Sequence, residues 1–168
     1  MAIDEAVSAA GGAVRRMDFP YRLQGRRAPD RPAVLVADVA NEARRFAEEA
    51  ALDPRRLFVG GRSMGGRICS MAVAEGMAAA GLVLVSYPLH APGRPDDRRV
   101  AHFGLLGLPC LFVSGTRDAF GTPDELQAAQ AGIPGPVTAR WLSGADHGLR
   151  RRDAEVAEMV ADWVGAHI

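Results

Sequence analysis

Leu57-Phe58-Val59-Gly60-Gly61-Arg62-Ser63-Met64-Gly65-Gly66 is a short apolar run that breaks at a glycine-flanked serine and passes into a helical pattern. A G-x-S-x-G segment between a strand and a helix is the arrangement of a nucleophile elbow. At the tip of such a turn the serine backbone is strained and its hydroxyl is presented. Gly61 and Gly65, one on each side, are expected to approach each other too closely for a side chain. The turn also aims the Met64 N–H, at the helix start, toward the point where an oxyanion would develop. The pattern alone is weak in a chain with 19 glycines, and a serine capping a helix is the plain alternative. The strand before it and the helix after it favour the nucleophile.

Working outward, residues 82–86 and 110–114 are continuous apolar runs, as expected of parallel strands buried on both faces. Residues 57–59 form the strand before the elbow, and residues 137–142 the last strand. Residues 13–19 also read as a strand, a poor interior one because of Arg15-Arg16. Helices are expected over residues 2–10, stopped by Gly11-Gly12, over 32–51 after Asp30, and over 64–77. Two more follow, over 123–131 with a proline in the first turn and over 153–167. In the last of these Val156, Met159, Val160, Trp163 and Val164 share one face. Residues 20–32 form an arginine-rich loop and residues 87–107 a Pro/Gly-rich excursion. Strands alternate with helices, so the fold class is α/β. We expect one domain over residues 1–168, a mostly parallel sheet of about five strands with helices on both faces.

Composition excludes several functions. The 20 basic residues, all arginine, cancel the 20 acidic ones, so no net field draws the chain to nucleic acid or an anionic membrane. Cys69 and Cys110 sit in apolar stretches and read as reduced core residues. No apolar run reaches membrane-spanning length, and Asp4 and Glu5 replace a signal peptide's basic start, so a cytoplasmic location is expected. No His/Cys/acid cluster has metal-ligand spacing, and the elbow glycines lack the Lys-Ser/Thr pair of a phosphate loop. Neither a metal nor a cofactor is expected.

An activated serine needs a base, and the base an orienting carboxylate. Asp118 follows one buried strand in Gly115-Thr116-Arg117-Asp118, and His147 follows the last strand in Gly144-Ala145-Asp146-His147-Gly148. In open parallel sheets functional groups collect at the carboxyl ends of strands, where Ser63, Asp118 and His147 would meet. Asp118 as a simple turn residue is the competing reading. Asp146 is a rival acid, but directly before the histidine it more naturally fixes the loop. Of the 4 histidines, His90 and His102 lie in the excursion and His167 at the C-terminus, where a helix-dipole or solvent role suffices.

With these residues in view the chain resembles the α/β-hydrolase superfamily, and more narrowly its dienelactone-hydrolase-like branch. That group includes a testis-expressed hydrolase-like protein and the scaffold subunit of the NSL histone-acetyltransferase complex. The matching stretches are Asp18-Phe19-Pro20-Tyr21, Gly25-Arg26-Arg27-Ala28-Pro29-Asp30, Gly60 to Arg67, Tyr87-Pro88-Leu89-His90, Gly115 to Asp118 and Asp146-His147. The resemblance implies Ser63 as nucleophile, Asp118 as acid and His147 as base. It also implies N-terminal strands and a glycine-rich oxyanion loop that this sequence does not display. Loss of one oxyanion donor costs about 10²–10³ in turnover. Without those strands, residues 13–19 are expected either to pair with residues 57–59 or to form an edge strand for a homodimer near Ala13 and Phe19.

A serine hydrolase of a carboxylic ester or lactone is the leading expectation, with a small-molecule substrate whose binding residues the sequence does not name. The alternative is a catalytically weak or inactive interaction module on the same fold. A phosphate-binding module using Arg22, Arg26 and Arg27 is a third, although such arginines are more often solvated or ion-paired.

Overall fold

The computed structural model describes residues 2–168. Its helices are α1 (Ala2–Ala9), α2 (Pro20–Leu23), α3 (Pro32–Glu49), α4 (Met64–Ala74), α5 (Pro123–Gln130) and α6 (Asp153–Gly165). Its strands are β1 (Phe58–Arg62), β2 (Gly81–Val85), β3 (Cys110–Gly115) and β4 (Val137–Leu142). They form one 4-stranded parallel sheet in the order β1-β2-β3-β4.

Alternation along the two central strands builds two cores. Leu82, Leu84, Cys110 and Phe112 face one way and pack with Leu35, Val36 and Val39 of α3, Ile68 and Ala72 of α4 and Leu126 of α5. Val83, Val85, Leu111 and Val113 face the other way, onto Val156, Val160, Trp163 and Val164 of α6, with Ile3 and Val7 of α1 at the margin. Every residue of β2 and β3 is buried, which explains their uninterrupted apolar sequences. Trp163 joins helix to sheet, its ring edge-on to Phe58 at 5.8 Å and its N–H donating to Thr138 Oγ1 at 3.2 Å.

Residues 13–19 depart from expectation, because they form no strand and are mostly exposed. Their arginines bind helices instead. Arg15 pairs with Glu42 at 3.0 Å and with Glu49, and its guanidinium lies 5.2 Å from the centre of the Phe46 ring on α3. Arg16 pairs with Asp4 of α1 at 3.0 Å. The segment thus runs from α1 on one face of the sheet to α3 on the other and is tied to both helices. Among the described residues the sheet therefore has four strands where about five were expected, with β1 and β4 at its edges, so the edge strand expected between Ala13 and Phe19 for a homodimer does not form. Helix α4 also ends earlier than expected, at Ala74, where Gly76 turns the chain with φ +100.

Candidate active site

Ser63 occupies the turn from β1 into α4 with φ 51 and ψ −120, a conformation that costs a non-glycine residue of order 1–3 kcal/mol. Close packing of β1 on α4 holds it there. A β-carbon at Gly61 would lie 2.8 Å from the Gly65 carbonyl carbon, and one at Gly66 would lie 2.6 Å from the Gly61 oxygen. A β-carbon at Gly65 would meet nothing within 4 Å. The expected close approach of Gly61 to Gly65 is present and excludes a side chain at Gly61, but the second position that excludes one is Gly66 and not Gly65. The cause is helical geometry: Gly66, the third residue of α4, faces back on the strand.

The other two side chains arrive from the loops after β3 and β4, which are laced together. Gly144 N–H donates to Thr116 Oγ1 at 2.9 Å, Arg117 N–H to Ala145 O at 2.9 Å, and Thr116 N–H to Leu142 O at 3.1 Å. A buried Leu149, with φ 44, anchors the chain just beyond His147. Ser63, His147 and Asp118 then form one hydrogen-bonded chain. Ser63 Oγ lies 2.8 Å from His147 Nε2, and His147 Nδ1 lies 2.8 Å from Asp118 Oδ2 and 3.0 Å from Oδ1. An ionised carboxylate only accepts, so Nδ1 carries the proton and Nε2 offers its lone pair to the serine hydroxyl.

Asp118 is 2% exposed and also accepts the Phe120 N–H at 2.8 Å. The Phe120 ring stacks on the His147 imidazole, centroids 4.1 Å apart, and fixes its plane. Arg62, next to the serine, reaches the His147 carbonyl at 3.4 Å. Neither Phe120 nor Arg62 was picked out from the sequence, since one aromatic or one arginine in a loop carries no signal of its own. Asp146 is exposed and lines an outer cleft of about 400 Å³ with Arg117 and Arg150, while both Nδ1 contacts of His147 go to Asp118.

A family model for the alpha/beta hydrolase domain matches residues 1–164. The chain belongs to the alpha/beta hydrolase domain family. Among solved structures it is similar to an alpha-beta serine hydrolase homologue from Coxiella burnetii, with TM-score 0.73 and 20% identity over 96% of this chain and 73% of that one. It is also similar to the esterase domain of a Rhodothermus marinus protein, with TM-score 0.73 and 17% identity over 99% and 78% of the two chains. A dienelactone hydrolase-like protein from Klebsiella pneumoniae gives TM-score 0.68 and 19% identity over 91% and 69%. At such identities the likeness is one of fold.

In this alpha/beta hydrolase domain the remaining histidines are engaged elsewhere. His90 is buried, donating from Nδ1 to Ala91 O at 2.9 Å with Nε2 3.4 Å from Glu125 Oε2. His102 Nε2 meets Ser70 Oγ at 2.8 Å, and burial, aided by the nearby Arg67 charge, pushes its pKa down to about 4. His167 Nδ1 donates to Trp163 O at 2.7 Å near the end of α6. Burial pushes the Cys69 and Cys110 thiols up to about 12, so neither is a thiolate nucleophile at neutral pH. Among the described residues no three His, Cys, Asp or Glu side chains converge to hold a metal, and no helix is long and apolar enough to cross a membrane. Met64 opens α4, so its N–H has no carbonyl one turn earlier in the helix to accept from it.

Proposed function

We propose that the chain is a serine hydrolase acting on a carboxylic ester or lactone, and within its family we place it in the dienelactone-hydrolase-like branch. The observation that carries the activity is the continuous Ser63–His147–Asp118 hydrogen-bond chain at the carboxyl ends of three strands. Ser63 Oγ attacks the substrate carbonyl while His147 Nε2 removes its proton, and the carbonyl oxygen becomes an oxyanion. The Met64 N–H, at the positive end of α4, donates to that oxyanion. The tetrahedral species collapses to an acyl-serine, and the imidazolium returns its proton to the leaving alkoxide. A water molecule, deprotonated by the same imidazole, then attacks the acyl-serine. Carboxylic acid leaves and Ser63 regains its proton. Asp118 holds the ring in the productive tautomer and stabilises the imidazolium without itself taking the proton.

The strained backbone of Ser63 supports a working triad over an inherited remnant, because strain of this kind gathers at functional sites. Brief reaction with p-nitrophenyl acetate followed by rapid acid quench tests this. The intact mass is expected to rise by one acetyl group, carried on the peptide containing Ser63. A chain that never acquires the acyl group, at any pH where it is folded, supports the interaction module instead.

A further inference from the structure

Ser86 is the second strained serine at this end of the sheet. It has φ 49, is 0% exposed, and its Oγ has no hydrogen-bond partner among the described residues. A non-glycine residue in the left-handed region and a buried hydroxyl without a partner each cost free energy, and strain of this kind gathers at functional sites. Register places the residue. Arg62 pairs with Val85 and Val85 with Val113, so one step further along Ser63, Ser86 and Ser114 stand side by side on β1, β2 and β3. Ser63 N–H donates to Val85 O and Ser86 N–H to Val113 O, both at 2.8 Å, which fixes that row. Ser114 Oγ is likewise buried and without a partner.

The hydrogen-bond chain from Ser63 to Asp118 starts at the end of β1 and finishes in the loop after β3. It therefore passes over the end of β2, where Ser86 lies, neighbouring strands being about 4.8 Å apart. The segment after Ser86 is fastened to the Asp118 loop: His90 N–H donates to Phe120 O at 3.0 Å, and a β-carbon on Gly121 would lie 2.9 Å from Leu89 Cβ. Among the described residues the Asp118 carboxylate accepts from Phe120 N–H and His147 Nδ1, and it has room for further donors.

We propose that Ser86 is a positioning residue for the triad. Resting on the serine-hydrolase reading, it donates to the buried side of the Asp118 carboxylate through one ordered water that Ser114 shares. A buried water needs two to four polar partners, and the two hydroxyls and the carboxylate supply three. The water steadies the carboxylate against which His147 is oriented. This accounts for both orphan hydroxyls and for a strained serine where glycine would be free of strain.

Ser86→Gly separates this role from simple packing, because glycine adopts the native φ without penalty and the variant folds. A merely structural Ser86 predicts a Tm equal to or above wild type, an unchanged rate of labelling by a fluorophosphonate, and an unmoved Nδ1–H resonance of His147. The proposal predicts that Tm, labelling about tenfold slower, the worth of about one hydrogen bond, and a displaced resonance. Ser114→Ala is expected to displace the same resonance. The resonance reports the His147–Asp118 bond whether or not the protein turns over. If wild type does not label at all, the hydrolase reading fails, and the resonance decides this proposal alone. An unmoved resonance in Ser86→Gly overturns it.

Discussion

Gly115 and Ala145 touch across the ends of β3 and β4: a β-carbon on Gly115 would lie 2.2 Å from the Ala145 carbonyl oxygen. That contact sets the spacing between the loops bearing Asp118 and His147, and the acceptor is rigid backbone that cannot swing away. Gly115→Ala is expected to force the loops apart, costing about 1–3 kcal/mol of stability as overpacking does. Reactivity of Ser63 should fall by more than the lost stability explains. Chemical denaturation together with the labelling rate of the folded fraction checks this. A labelling rate equal to wild type in the folded fraction would show that the contact does not set the geometry.

Asp118, and not Asp146, is expected to orient His147. The carboxylate of Asp118 is buried and makes both contacts to Nδ1, whereas Asp146 is exposed on the outer cleft. Asp118→Asn should lower acylation by about 10⁴, because an amide can donate to Nδ1 and stabilise the wrong tautomer. Asp146→Asn should change it by far less. Single-turnover acylation of the two variants ranks them, and the opposite ranking would refute the assignment.

Acid should weaken the fold in two windows. His102 has a folded pKa lowered from its ordinary 6.5 to about 4. Between those values the unfolded chain takes up a proton that the native state does not, so the contribution of His102 is full above pH 6.5 and is lost as pH falls toward 4. Glu125 is held at about 2, below its ordinary 4.5, by the Thr122 backbone N–H and hydroxyl of the α5 capping box. Its contribution is full above pH 4.5 and is lost as pH falls toward 2. Tm measured against pH should decline through the first window, and His102→Gln should flatten that part of the curve alone. A His102→Gln curve parallel to wild type would contradict the shift.

The parallel sheet, and the meeting of Ser63, Asp118 and His147 at one end of it, were legible in the sequence because both rest on signals at strand ends. Apolar runs such as Leu82 to Val85 mark strands buried on both faces, and Ser63 sits in a motif whose spacing is dictated by a tight turn. The readings that failed depended on contacts distant in sequence. Residues 13–19 have alternation enough for a strand, but Arg15 finds Glu42 and Glu49 on α3, and no periodicity within the segment encodes that. At the elbow the close approach of Gly61 to Gly65 follows from the motif, whereas the second position that excludes a side chain, Gly66 and not Gly65, depends on the angle at which α4 meets β1. The stacking of Phe120 on His147 and the burial of Ser86 Oγ also depend on contacts between separate loops and strands.

Reaction with a fluorophosphonate probe, with the modified residue located by peptide mapping, tests the central claim most directly, since it reports an activated serine without knowledge of the substrate. Wild type is expected to be modified once, at Ser63. Ser63→Ala is expected to lose all labelling while unfolding at nearly the same temperature. Labelling that persists in folded Ser63→Ala, or a folded wild type that stays unmodified, would contradict the account.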